Sequence, residues 1–302
     1  MKKNLIIIAG PTAVGKTALS VELAKHFGCP VISADSRQFF KEMSIGTAKP
    51  AAEEMQGVPH YFVDHISIHD LYNVGQYERE AIATIEQLFE THHELILVGG
   101  SGLYINAVLN GVDEFEEIPP EIREHLNKTY QEQGLAWLQE KLLELDPVYY
   151  QQVDLNNPQR LIRALEVCIH KGKPYSSFRT KAKKIRPFNV IPILVNTERE
   201  VLYDRINRRV DQMMAQGLLE EVKHLYPHKQ LNALNTVGYK ELFDFLDHKY
   251  TLEEAVNLIK QNTRRYAKRQ LTWFNNQGDY ETFGPDELEK LKAYLDIVIL
   301  HS

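Results

Sequence analysis

The sequence predicts an α/β fold: a parallel sheet flanked by helices, interrupted by a helical insertion. Three observations carry this. An apolar run, Leu5-Ile6-Ile7-Ile8, leads into GPTAVGKT at Gly10 to Thr17, and a helical pattern follows and ends at Gly28. Further apolar runs of strand length, Pro30 to Ala34 and Leu95 to Val98, alternate with helical stretches such as Gln76 to Phe89. From about Asp113 to Pro187 helical spacing takes over, and Val190 to Val195 then reads as a returning strand.

Gly10, Pro11, Thr12, Ala13, Val14, Gly15, Lys16 and Thr17 satisfy G-x-x-x-x-G-K-[ST] in the strand–loop–helix context the motif requires. The glycines let the backbone turn its N–H groups inward, towards the positive end of the following helix. Lys16 adds a mobile cation, and the Thr17 hydroxyl suits Mg²⁺ bridging phosphate oxygens. The loop therefore recognises a polyphosphate, without saying which bond breaks.

Composition sets limits. The chain has 302 residues, 43% of them hydrophobic, enough for a globular core of one large domain or two modest ones. Cys29 and Cys168 lie far apart, which argues against a disulfide framework or zinc site and fits a reducing cytoplasm. The apolar start is too short for a signal peptide, and no run is long enough to span a bilayer. The net charge of −6 alone speaks against nucleic acid, but its distribution is uneven. Acids gather at Asp113, Glu114, Glu116 and Glu117. Bases gather at Arg179, Lys181, Lys183, Lys184 and Arg186, and again at Lys260, Arg264, Arg265, Lys268 and Arg269.

Along the chain, Asp35-Ser36-Arg37-Gln38 follows the second strand, where ligands of parallel sheets sit. Spacing leaves open whether Asp35 serves a site or caps a helix. The segments 46–50 and 57–60 read as loops. After the third strand comes Gly99-Gly100-Ser101-Gly102, where a nucleoside-triphosphatase would carry an aspartate. Three glycines around one hydroxyl suggest close backbone approach to a ligand, or a plain turn. In the insertion, helices are expected from Pro120 to Glu144 and from Asn157 (cap) to Gly172. On the second, Leu161, Leu165 and Ile169 face one way and Arg160 and Arg163 another. Thr197-x-x-Glu200 reads as a capping box opening a helix that Gly217 closes. On it, Arg205 and Arg209 would clamp a phosphate or pair with Asp204 and Asp211. Thr251-x-x-Glu254 opens a last basic helix with Ala255, Ile259 and Tyr266 inward.

GPTAVGKT, DSRQ (35–38), GTAKP (46–50), GGSGLY (99–104), QRLIRALEV (159–167), VGYKE (237–241) and KRQLTWF (268–274) stand in one order. In that order and rough spacing the chain resembles the bacterial tRNA dimethylallyltransferases, from about Asn4 to Gln277. The resemblance implies a P-loop NTPase-like core, residues 1–113 and 188–302, with a helical insertion domain, 114–187, contacting tRNA. It implies transfer of the dimethylallyl group of dimethylallyl diphosphate to the exocyclic amine of the adenosine 3′-adjacent to the anticodon, releasing diphosphate.

Carried over by position, Asp35 is the carboxylate that orients the amine and takes its proton, and Ser101 stands where Thr is usual. Arg209, Lys16 and the loop from Thr12 to Thr17 hold the diphosphate, with Mg²⁺ at Thr17. Asp35, Ser36, Arg37, Gln38, Ser101, Arg123, Gln159, Arg160, Leu161, Ile162, Arg163, Lys268 and Arg269 match tRNA-contacting positions, as do the VGYKE region and the segment Lys268 to Asn275. His60 is followed by Tyr61, where relatives often have a second His. A monomer is expected, in the cytoplasm, gripping the anticodon stem-loop between insertion and core. A P-loop kinase of a small metabolite or nucleotide, an isopentenyltransferase of free adenine nucleotides, and an RNA-binding nucleotide switch remain alternatives at this point.

Overall fold

The computed structural model describes residues 2–113, 118–179, 183–278 and 280–301. Glu114, Glu116 and Glu117 of the acidic run and Lys181 of the first basic run lie outside the described residues. The chain forms two compact units, Met1–Asn110 with Ile185–Ser302, and Gly111–Lys184.

The first unit opens with β1 (Asn4–Ala9), α1 (Lys16–Phe27), β2 (Val31–Ser33), the one-turn α2 (Ala52–Met55) and β3 (His60–Tyr61). Then come α3 (Val74–Leu88), β4 (Glu94–Gly99) and α4 (Gly102–Asn110). The expected loop at 57–60 thus ends in a short edge strand on β2. α3 starts two residues before Gln76, because the Asn73 side chain accepts from the N–H groups of Gly75 and Gln76.

The second unit holds α5 (Pro120–Leu145), α6 (Pro147–Tyr150) and α7 (Pro158–Lys171). α5 is not one straight helix: Gly134 breaks it at φ 78°, a conformation that suits glycine. α7 runs as expected, with Asn157 accepting from the Arg160 N–H and Gly172 left-handed after its end. Ile169, expected on the face of Leu161 and Leu165, is exposed, while those two are buried. Where the chain enters and leaves this unit, a Cβ at Gly111 would lie 2.6 Å from the Lys184 stem, so the two ends run side by side.

The first unit resumes with β5 (Asn189–Val195), α8 (Arg199–Ala215), α9 (Leu218–Leu225), α10 (Tyr239–Leu246), α11 (Leu252–Asn275), β6 (Glu281–Phe283) and α12 (Leu288–His301). The capping box at Thr197 does not form. The Asn196 N–H still bonds the Phe283 carbonyl beside the sheet, and the helix starts only after Glu198, with no side-chain cap. Gln216 caps the end of α8, and Gly217, at φ 101°, opens α9. The Thr251 box forms as expected.

Among the described residues six strands pair in parallel, in the order β3-β2-β4-β1-β5-β6. β1 alternates between two cores: Leu5 and Ile7 meet Phe39, Tyr77 and Leu97, while Ile6 and Ile8 meet Leu19, Leu23 and Ile193. With a phosphate loop between β1 and α1, this is a P-loop NTPase-like core. α8 to α11 close a third cluster on Phe40 and Met43. Arg186, expected in a basic surface run, is an internal tie instead. It reaches Glu78 at 2.8 Å and donates to the carbonyls of Val108 (2.8 Å) and Ala107 (3.0 Å). Cys29 and Cys168 are buried free thiols, pushed up in pKa by burial. Among the described residues no helix is long and apolar enough to cross a membrane.

Candidate active site

The phosphate loop follows β1. Gly10 sits so close to β5 that a Cβ would lie 2.5 Å from the Val195 carbonyl oxygen, and Gly15, at φ 108°, opens α1. Lys16 curls back to donate to the Pro11 carbonyl at 2.7 Å. Burial lowers its pKa to about 8, with Asp35 opposing the shift and Arg209 adding to it. α8 lays two arginines against the loop. Arg205 donates to the Val14 carbonyl at 3.1 Å, and Arg209 reaches the Thr12 hydroxyl and the Ala48 carbonyl, both at 3.5 Å. Asp204 and Asp211 pair instead with Arg208 (2.9 Å) and Lys260 (2.6 Å), which leaves Arg209 to the loop, while Arg205 also lies 3.9 Å from Asp286.

The acceptor side is built from the ends of β2 and β4, which are sheet neighbours. Ser101 Oγ accepts from the Ser36 N–H at 3.1 Å and lies 3.2 Å from its hydroxyl. Asp35 caps no helix. One oxygen accepts from the Arg37 N–H at 3.1 Å, forming a local turn, and its charge acts on Lys16, Arg209, Arg37 and Tyr266. Arg37 donates to the carbonyls of Asn232 (3.2 Å) and Ala233 (2.9 Å). The Gln38 amide donates to those of Thr47 (3.3 Å) and Ala48 (3.1 Å). Both side chains, expected at the RNA, thus brace loops beside the site.

The loop carrying Ala48 is held from α9. Glu221 accepts from the N–H groups of Ser44 (3.1 Å), Ile45 (2.7 Å) and Gly46 (3.0 Å), and from the Tyr239 hydroxyl at 2.6 Å. A Cβ at Gly46 would lie 2.5 Å from the Tyr239 ring. Sequence reasoning missed Glu221, whose one signal was a carboxylate in the first turn of a short helix.

α11 supplies two more residues: Tyr266, which sequence read only as core, and Gln270, matched only as part of the tRNA-contacting segment Lys268 to Asn275. Tyr266, expected inward, is 36% exposed and faces Asp35 and Ser101. Burial first, and Asp35 next, raise its pKa to about 12, while its hydrogen bond to Ser101 opposes the shift. Gln270, four residues on, is 7% exposed. It accepts from the Thr12 N–H at 3.0 Å and donates to the Gly100 carbonyl at 2.8 Å. Trp273 completes the stripe against Gly102. These contacts correct the reading of Gly99 to Gly102. The glycines admit protein, not ligand: a Cβ would run into Ala34, Gln270 and Trp273 respectively. The signal was there in the i, i+4, i+7 spacing of three non-basic residues on a basic helix.

The next face of α11 is open. Arg265, Lys268, Arg269, Thr272, Trp273 and Asn276 line a groove of about 540 Å³, and Arg269 lies 5.7 Å over the Tyr266 ring. Lys260 and Arg264 leave the basic edge, bonded to Asp211 and to Asn207, both at 2.6 Å. In the second unit Gln159 and Arg160 are exposed. Leu161 and Ile162 are buried in that unit's core, so their side chains serve packing rather than RNA contact. Glu166, also buried, pairs with Arg123 and with Arg163 (3.4 Å).

The family model for IPP transferase matches residues 38–277. The tRNA dimethylallyltransferase of Christiangramia forsetii is 55% identical over 96% of this chain and 96% of its own length. That of Flavobacterium johnsoniae is 53% identical over 93% of each. Among solved structures, the tRNA isopentenylpyrophosphate transferase of Bacillus halodurans is 39% identical and covers 98% of this chain and 96% of its own, with a TM-score of 0.73. A eukaryotic dimethylallyltransferase acting on tRNA is 28% identical over 95% of this chain and 75% of its own, with a TM-score of 0.79. On sequence and fold alike, the chain belongs to the IPP transferase family.

Proposed function

We propose that the protein transfers the dimethylallyl group of dimethylallyl diphosphate to the exocyclic amine of the adenosine 3′-adjacent to the anticodon of tRNA. One observation carries the reading. The end of β4 has Ser101 where a nucleotide hydrolase would place a carboxylate, and the site's carboxylate, Asp35, faces the cations of the phosphate loop from β2. A carboxylate opposite a diphosphate cradle suits a proton acceptor facing a leaving group.

The allylic C–O bond breaks as diphosphate departs, stabilised by Lys16, Arg209 and the N–H groups of Ala13 to Thr17, the Thr12 N–H being taken by Gln270. The amine nitrogen forms the new C–N bond and gives a proton to Asp35. Ser101 and Ser36 hold the acceptor side, which matters because an exocyclic amine is a weak nucleophile. Among the described residues no three His, Cys, Asp or Glu gather for a metal. Mg²⁺ nonetheless fits, since it keeps most of its waters and takes few protein ligands; the Thr17 hydroxyl would hold it. When bound it would neutralise charge on the departing diphosphate.

RNA binding would draw on Lys268 and Arg269 in the first unit and on Arg160, with Gln159, in the second. The adenine must leave its stack to reach Asp35. We expect a monomer, working in the cytoplasm beside its tRNA.

The test is incubation with Mg²⁺, unmodified tRNA and labelled dimethylallyl diphosphate, followed by nucleoside analysis. Label on adenosine, lost in Asp35→Ala, is the expected result. Label on free AMP but not on tRNA would replace the acceptor. ATP consumption without label transfer would make the protein a kinase.

A further inference from the structure

We infer that Gln270 is a positioning residue of the transfer: its amide fixes the phosphate loop and the Gly100–Ser101 turn in one register. It thereby sets the separation between the reacting allyl carbon and the amine. This rests on the reaction proposed above.

The geometry leaves one amide between the two halves of the site. Gln270 Oε1 takes the Thr12 N–H at 3.0 Å, and Nε2 gives to the Gly100 carbonyl at 2.8 Å. Both partners are backbone groups. Thr12 is also the contact of Arg209, and Ser101, next to Gly100, accepts from Ser36. The diphosphate side and the adenine side of the site are therefore bridged through a buried side chain that holds groups of both loops. Nothing cushions the bridge, because Gly100 leaves no room for a Cβ beside Nε2.

The position demands one acceptor and one donor, back to back. Glutamine meets this. Glutamate offers acceptors to both partners, and methionine, of similar shape, offers neither strong group. α11 is the carrier. The same stripe seats Trp273 on Gly102, so the helix meets the Gly99–Gly102 turn at two points. A small rotation of the turn away from the loop would lengthen the path of attack, which costs rate far more than affinity.

The experiment compares steady-state transfer by the full chain, wild type, Gln270→Met and Gln270→Glu, with melting temperatures in parallel. The expected result is a fall in kcat on the order of a hundredfold in Gln270→Met, with KM for either substrate within about threefold of wild type. Gln270→Glu, which keeps the bond to Thr12 and loses the one to Gly100, should also fall in kcat; it serves if Gln270→Met does not fold. Lower melting temperature with unchanged kcat would make Gln270 merely structural and overturn the inference. So would raised KM at unchanged kcat, which would make it a binding group. Absence of transfer by the wild type would instead remove the reaction itself.

Discussion

Asp35 is held by little: its carboxylate accepts one bond, from the Arg37 N–H. Asparagine can accept the same bond but cannot take a proton. Asp35→Asn should therefore melt like wild type while kcat falls by about 10² to 10⁴, read as label on tRNA against a thermal melt. Lys16 makes a second case. With its pKa lowered by burial to about 8, it loses charge earlier in a pH rise than an ordinary lysine. In ligand-free protein the affinity for inorganic diphosphate should weaken as pH climbs through that value, and Lys16→Arg, which stays charged, should show no such inflection. Titration calorimetry across about pH 7 to 9 checks it. Lys16 was legible because a motif with fixed spacing names it, whereas spacing left Asp35 open and only the family resemblance named it. Gln270 was legible only as one of a segment matched to tRNA contact, and Tyr266 only as core, because no local pattern shows that the fold lays that helix over the strand ends.

Helix ends were legible wherever the cap is local. Asn157, Pro158 and Gly172 bound α7, and the Thr251 box opens α11. Thr251→Ala should cost about 1 kcal/mol of stability in denaturant. Thr197 failed as a cap because its neighbour answers to the sheet, a long-range bond that no local pattern announces. Arg186 misled for the same reason. Sequence placed it in a run of solvated charges, yet it ties the end of α4 to Glu78 across the unit. Arg186→Met takes the cation away from a buried carboxylate and should destabilise by about 3 kcal/mol or more, measured by urea unfolding.

Across the molecule, net charge and local charge point in opposite directions. The chain carries −6 overall, so attraction to RNA must come from patches, and Arg186, Lys260 and Arg264 of the expected basic runs are tied up within the fold. If Arg160, Arg265, Lys268 and Arg269 meet phosphates, log affinity for tRNA should fall against log salt with a slope of about −3, and Lys268→Ala/Arg269→Ala should flatten it by about 1.5. Filter binding at graded salt decides. The two-unit organisation was legible as a change of pattern, because helices and strands differ in period. Its side-by-side ends were not, since they depend on Gly111 lying against the Lys184 stem. That adjacency has an evolutionary meaning. A segment whose two ends meet is a cassette, gained or lost by recombination without disturbing one ladder bond of the sheet. Bridging 111 to 184 with about three flexible residues should leave a folded core that still takes inorganic diphosphate, measured by a thermal melt and titration calorimetry.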